Sequence, residues 1–254
     1  KPKFDIQLLP TDIILNDSAW HIGFSNITYS IAEQTLDIEN FSLSTDYQSI
    51  VANGRASKSS QDSIDISLNN ININYILSYT GVNNAFSILG LASGNARLYS
   101  VFSEPMVEAQ ACIRNGGLNG VYFGDVTAEA KLDRLNKKIL ISGQIVDSTQ
   151  HVVATVDGNV VPADKHWWLD INCDSLDINF IDYWTEGIVA NPQGRGYGRI
   201  KIDGEDQQVW ITVRVLAKDA QVTVPDIGVT FYFTDSVFID STCFRFPDIT
   251  MYDQ

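Results

Sequence analysis

Residues 64–76 run Ile64-Asp65-Ile66-Ser67-Leu68-Asn69-Asn70-Ile71-Asn72-Ile73-Asn74-Tyr75-Ile76. Apolar and polar side chains alternate strictly along Ile64–Leu68 and again along Ile71–Tyr75. Side chains two apart in a strand share a face, so each run has one apolar and one polar face. A second copy follows as Leu169-Asp170-Ile171-Asn172-Cys173-Asp174-Ser175-Leu176-Asp177-Ile178-Asn179-Phe180-Ile181. Leu169 stands 105 residues after Ile64. Six apolar positions match at that spacing: Ile64/Leu169, Ile66/Ile171, Leu68/Cys173, Ile71/Leu176, Ile73/Ile178 and Tyr75/Phe180. Tyr79/Tyr183, Gly90/Gly194 and Gly94/Gly198 then match at 104 after one deletion. Two copies at this period predict a repeated, extended β architecture.

The pattern extends outward from these runs. Leu36-Asp37-Ile38-Glu39 alternates and continues out of phase into Phe41-Ser42-Leu43. Further strands are expected over Lys138–Ile145, Val152–Val156, Arg199–Ile202, Val209–Leu216, Gln221–Val224 and Val229–Phe233. Turns are expected at Asn53-Gly54, Asn115-Gly116-Gly117, Asn119-Gly120, Asp157-Gly158 and Asp203-Gly204. The windows 74–92 and 177–189 lose strict alternation and each has room for one short helix. The expected fold is all-β: an elongated, curled antiparallel or mixed sheet built from repeats, with one or two short helices. Three stretches divide it, 1–53 as the tail of a preceding repeat unit, 54–157 as unit one and 158–254 as unit two, in one continuous structure.

The 254 residues are enough to bury a sizeable core, and 44% apolar content is not that of a disordered chain. A net charge of −14 leaves no electrostatic footprint for nucleic acid and disfavours an anionic membrane surface. Cys112, Cys173 and Cys243 are far apart in sequence, so CxxC motifs are absent and buried free thiols are expected. No stretch approaches the roughly 18 apolar residues of a membrane span; the richest is 86–92, FSILGLA. The chain opens on Lys1-Pro2-Lys3 without Met and closes on Met251-Tyr252-Asp253-Gln254, as an internal piece of a longer polypeptide would.

Catalytic patterns are not found. His21, His151 and His166 fall in no zinc or triad spacing, and GxSxG, HExxH and P-loop motifs do not occur. Gly194-Arg195-Gly196-Tyr197-Gly198 lacks the GxGxxG spacing and reads as a flexible approach to the strand after it. Asp170, Asp174, Asp177 and Asp182 would suit a carboxylate pair of a glycosidase. They occupy the polar positions of half-apolar strands, however, which a solvated face explains, and the same holds for Asp226, Asp235 and Asp240. Trp167, Trp168, Trp184, Trp210 and Tyr183 offer either a sugar-stacking surface or core packing. The expectation is therefore a non-enzymatic chain with no cofactor and no metal. A surface adhesion or glycan-binding β module is the alternative, with a carbohydrate-active β-solenoid enzyme behind it. What remains is the apolar face, lined by Ile64, Ile66, Leu68, Ile71, Ile73, Leu169, Ile171, Leu176, Ile178 and Phe180. It must be buried against another sheet, within a closed core, or against a ligand with acyl chains.

In the order of its short motifs the chain resembles the TamB translocation and assembly family of the AsmA-like group, in its Bacteroidetes form. Ile14-Leu15-Asn16-Asp17-Ser18-Ala19-Trp20 resembles that family's "LND..W" unit, and Ile38-Glu39-Asn40-Phe41 its "I.NF.L" step. Gly54-Arg55-Ala56-Ser57, Asp62-Ser63-Ile64 and 68–76 follow "G..S....D.I...L....L.YI". Thr230 to Val237 is similar to "Y.F.DSV.I", and Phe246 to Asp253 to "F.D..+YD". Residues 95–135 depart from the family pattern. The resemblance implies a long β-sheet curled into a taco-like groove with an apolar interior. It implies a cell-envelope protein anchored in the inner membrane, crossing the periplasm toward an outer-membrane barrel assembly partner. It further implies roles in lipid transport between membranes, with phospholipid acyl chains as cargo, and in outer-membrane biogenesis. This chain would be a periplasmic stretch without a transmembrane segment of its own.

Overall fold

The computed structural model describes residues 2–15, 17–77, 87–118, 120–179, 182, 187, 189–205, 208–233, 236–240, 243–245 and 251–252. They form one large, curled, open antiparallel sheet. The chain begins with β1 (Lys3–Leu8), β2 (Thr11–Leu15), β3 (Ser18–Ile22) and β4 (Ser25–Ser30). β1 pairs with β4 and β2 with β3, as one long hairpin broken at Pro10 and Gly23. β4 lies along the first half of β5 (Thr35–Ser44), and β3 along its end.

From β5 onward the sheet is a meander. β6 (Ser49–Ala56), β7 (Ser63–Asn72), β8 (Ile88–Tyr99), β9 (Met106–Leu118) and β10 (Val121–Asp133) each pair with the strand before. So do β11 (Lys138–Val146), β12 (Val152–Val161), β13 (His166–Asp177), β14 (Ala190–Glu205) and β15 (Gln208–Val224). β15 is flanked on its far side by β16 (Val229–Phe233) and β17 (Val237–Asp240). These in turn carry β19 (Met251–Tyr252) and β18 (Cys243–Arg245). All pairings among the described residues are antiparallel, so the mixed-sheet option is set aside.

The two alternating copies occupy equivalent places. Ile64 pairs with Leu98 and Leu169 with Ile202; Leu68 pairs with Gly94 and Cys173 with Gly198. Each copy then bulges at a residue of positive φ, Asn70 at 52° and Ser175 at 91°. The bulge adds one residue and so returns Ile71 and Leu176 to the apolar face. The equivalence also covers the strand before, where Gly54 pairs with Ile64 and Gly158 with Leu169. The unit boundaries at 53/54 and 157/158 fall inside β6 and β12, at positions one repeat apart.

Two expectations are corrected. Alternation through 71–75 predicts a strand, yet α1 (Ile73–Leu77) begins at Ile73 and runs into the 74–92 window where one short helix is expected. The reason is local: the Asn72 side-chain oxygen accepts the Asn74 N–H at 3.0 Å, as an N-cap does. Asp177 accepts the Asn179 N–H in the same way at 3.1 Å. Most of the second helix window, 177–189, lies outside the described residues. Secondly, four of the five expected turns lie within strands; of the fifth, Gly120 lies between β9 and β10, and Asn119 is outside the described residues. A Cβ on Gly54, Gly158 or Gly198 would overlap a carbonyl oxygen of the neighbouring strand: Ser63, Trp168 and Arg214 respectively. These glycines therefore serve close strand approach rather than chain reversal.

Apolar packing gathers in two places. The larger cluster holds Ile145, Ala154, Cys173, Leu176, Ile178, Ile200, Val213 and Val215 among its buried members. The smaller one centres on Ala52, Ala56 and Ile64, with Leu36, Ile38, Phe41, Ile66, Val101 and Phe102 against it.

Candidate functional site

Following the register from strand to strand shows what the apolar face is made of. One row reads Ile66–Ala96–Ala109–Ala130–Ile141–Gly158–Leu169 from β7 to β13. The next reads Leu68–Gly94–Ala111–Ala128–Gly143–Val156–Ile171. Strands lie about 4.8 Å apart, so the rows run about 29 Å along the sheet's long axis and about 7 Å from each other. All of these positions except Gly158 are half-buried. The middle is floored by alanine and glycine, while bulkier neighbours stand on both sides: Leu98, Val107, Leu132 and Ile139 along one, Ile113, Val126 and Ile145 along the other.

This divides the ten expected lining residues. Ile66, Leu68, Leu169 and Ile171 sit at the ends of the two rows and are partly buried, Ile66 and Ile171 packing against the smaller and larger clusters respectively. Ile64, Ile71, Ile73, Leu176 and Ile178 are buried, Ile71 and Ile178 to 1% and 2% exposure, and belong to packed core rather than to an open surface. Phe180 lies outside the described residues, as do Tyr79, Tyr183, Trp184 and Asp235. The small residues of β8 to β11 escaped the sequence reading, although Ala109/Ala111 and Ala128/Ala130 carry the same two-residue alternation.

The opposite face is polar and bears two hollows. One of about 810 Å³ spans β6 to β10 and is lined by Asp65, Asn95, Arg97, Glu108, Gln110 and Lys131. A second of about 660 Å³ adjoins it over Cys112, Thr127, Ser142 and Gln144. The charges of this face are paired, across strands and within one. Arg97 is paired with Asp65, and that carboxylate holds the guanidinium above its usual range. Glu129 is held below the usual carboxylate range by Lys131, 2.7 Å away, and by the Gln110 amide.

Several of the residues weighed for chemistry have partners among the described residues. Asp170 Oδ1 lies 3.1 Å from Arg199 Nε, whose hydrogen bond goes to Asn172 at 3.2 Å. Asp177 is engaged in the turn described above. His21 faces Asp12 at 2.9 Å on the exposed first hairpin, and His151 sits in a turn with Thr149. Among the described residues no group of three or more His, Cys, Asp or Glu is placed to hold a metal ion. Gly194 to Gly198 lies inside β14, where a Cβ on the buried Gly196 would press on Val215 and Ile178; the stretch is part of the strand, not a flexible approach to it. Trp167 packs on Gly204 on the apolar face. Trp168 and Trp210 share the polar face, each opposite Asp203, and Trp210 is half-exposed.

Among the described residues no helix is long and apolar enough to cross a membrane. Comparison with protein-family models, with curated proteins and with solved structures found no match.

Proposed function

We propose that this chain is a non-enzymatic segment of a TamB-like envelope protein, acting in the periplasm, whose apolar rows hold phospholipid acyl chains in passage between membranes. The observation that carries this reading is the pair of apolar rows, half-buried at every position but Gly158, from Ile66 to Leu169 and from Leu68 to Ile171. An acyl chain spans about 15 Å of a bilayer leaflet, so rows of about 29 Å offer more than its length. At about 25 cal/mol per Å² of apolar surface removed from water, such a surface retains hydrocarbon without any reactive group. The family resemblance adds an inner-membrane anchor and an outer-membrane barrel partner, both belonging to the longer protein.

A photocrosslinking residue at Ile66 or Ile171 in the envelope-expressed protein tests this, with Thr127 on the polar face as control. Phospholipid adducts at the first two positions and none at Thr127 are expected. Absence of adducts at both Ile66 and Ile171 overturns the proposal.

The polar hollow and the Trp168/Trp210 pair favour a second reading, a glycan-binding module working through the other face. Trp168 and Trp210 lie one strand apart from Asp203 on either side, about 10 Å from each other. Indole fluorescence titrated with a glycan panel decides it; an unchanged spectrum across the panel removes this reading.

A further inference from the structure

One cell of the sheet differs in charge between the two copies. In β14 and β15, Lys201 is opposite Thr212 and Arg199 is opposite Arg214. These residues alternate with the buried Ile200 and Val213, so their side chains share the polar face, and all four are exposed. Neighbouring strands lie about 4.8 Å apart, and same-face neighbours within a strand about 7 Å apart. Three cations and a hydroxyl therefore stand at the corners of one small rectangle, in a chain whose net charge is −14.

The first copy holds the same cell in a self-sufficient form. Asn95, Arg97, Glu108 and Gln110 stand 104 residues before Arg199, Lys201, Thr212 and Arg214, and they pair in the same way. There one cation is opposite one carboxylate, and the other pair is two amides. Each is engaged within the protein: Arg97 with Asp65, Glu108 with the Tyr99 hydroxyl at 2.7 Å, Asn95 with the Ser67 hydroxyl at 2.8 Å and Gln110 with Glu129 at 3.3 Å. In the second copy a threonine replaces the carboxylate, and two arginines replace the amides. Like charges directly opposite one another destabilise a sheet, and Arg199 and Arg214 are such a pair. A local rule broken in this way is expected where a site needs it.

The acidic positions around the cell define what can neutralise it. Asp170 is opposite Lys201, with its Oδ1 3.1 Å from Arg199 Nε, which also donates to Asn172 at 3.2 Å. Asp203 follows Lys201 on the same face, and Asp240 is opposite Arg214. These positions flank the cell rather than lie within it. An extended anionic surface meets the flanking acids together with the cations, whereas a single compact anion over the centre meets the cations first. Arginine forks match the oxygens of a phosphate group, and the Thr212 hydroxyl supplies a further donor.

We infer that the cell formed by Arg199, Lys201, Thr212 and Arg214 binds the dianionic phosphate group of a small soluble phosphate monoester. The flanking acids and the net charge of −14 disfavour a phospholipid surface, where many phosphates arrive together. The apolar rows lie on the other face, so the acyl-chain reading and this one stand or fall separately.

The probe is glucose 6-phosphate, titrated into the whole chain and followed by backbone amide and arginine Nε chemical shifts. Saturating shifts centred on residues 199–201 and 212–214 are expected, with inorganic phosphate competing and glucose giving none. Arg214→Gln and Thr212→Glu, the second restoring the carboxylate of the first copy, should each weaken binding about tenfold. Lys58→Gln removes the same charge as Arg214→Gln from an exposed residue of the first copy and should leave binding unchanged. Unperturbed amide shifts elsewhere in each variant verify its fold. Binding that is absent, that glucose matches, that inorganic phosphate fails to displace, or that either cell variant leaves unaltered overturns the inference. So does binding to phosphatidate-containing vesicles in preference to glucose 6-phosphate, which would make a lipid surface the occupant.

Discussion

Gly94 in β8 abuts the carbonyl oxygen of Gln110 in β9, and one repeat later Gly198 abuts Arg214 in β15 in the same way. A methyl group at either place must push two paired strands apart. Gly94→Ala and Gly198→Ala are each expected to cost about 1–3 kcal/mol, the scale of overpacking against groups that cannot move aside. Ser142→Ala, exposed on the polar face, should stay within about 0.5 kcal/mol. Urea midpoints of the three variants measure this; equal midpoints for Gly94→Ala and Ser142→Ala would refute the steric account.

The bulges rest on side chains of the next strand. Asn115, at φ 53°, donates its N–H to Asp125 Oδ1 at 2.8 Å; Asn70 donates to Ser93 Oγ at 2.9 Å and Asn40 to Asn53 Oδ1 at 2.6 Å. Asp125→Ala removes the acceptor and is expected to cost about 1 kcal/mol. Asp125→Asn keeps an oxygen in place and should cost less. Amide exchange at Asn115, faster in the alanine variant than in the asparagine one, is the direct readout.

Burial pushes the Cys173 thiol up to about 11 from an ordinary value of 9.0. Between these values the unfolded chain loses this proton while the folded chain keeps it. Stability contributed by the neutral thiol is therefore complete below about pH 9 and declines as pH rises toward 11. Tyr99 and Tyr122 are also raised, chiefly by burial, and add their own alkaline decline. Comparison with Cys173→Ala isolates the thiol. The urea midpoint of the unaltered chain should fall more steeply from pH 8.5 to 10.5 than that of the variant, and parallel curves would contradict the assignment.

Much of this architecture is legible in the sequence, for physical reasons that can be named. Alternation marks the strands because a two-residue period is intrinsic to the pleat, and the copies at 64 and 169 share a register because their apolar positions do. The glycines are conspicuous but ambiguous. Gly54 and Gly158 follow Asn or Asp, a turn dipeptide on local chemistry, and only the neighbouring carbonyl oxygen shows that they belong inside strands. Ile73 misleads in the opposite sense, because its alternation continues while the Asn72 side chain starts a helix. The alanines of β9 and β10 are quiet in a sequence, yet they floor the apolar rows. Burial is the least legible property: Ile66 and Ile71 look alike in the pattern, and only the fold separates an exposed row from packed core.

That separation has an energetic consequence. Ile71 is almost wholly buried, so Ile71→Ala should leave a cavity and cost about 2–5 kcal/mol. Ile66, partly exposed two rows away, should cost clearly less on the same change because solvent already reaches it. Similar losses at both sites, measured by urea denaturation, would show that the Ile66 row is sealed.

Filling the floor of the rows is the sharper test of an open surface. Ala128 lies between Ala111 and Gly143, half-buried, at the middle of the row from Leu68 to Ile171. In Ala128→Phe the new ring occupies the space that an acyl chain would use. In an open row the substitution should change stability by no more than about 0.5 kcal/mol. It should also lower the yield of lipid adducts from crosslinkers at Ile66 and Ile171, the positions at either end. A closed core would respond in the opposite way, with a loss of about 1–3 kcal/mol from overpacking. Measured side by side, unfolding midpoint and adduct yield therefore distinguish a lipid-bearing row from an interior one. A destabilised variant whose adduct yield is unchanged would defeat the groove.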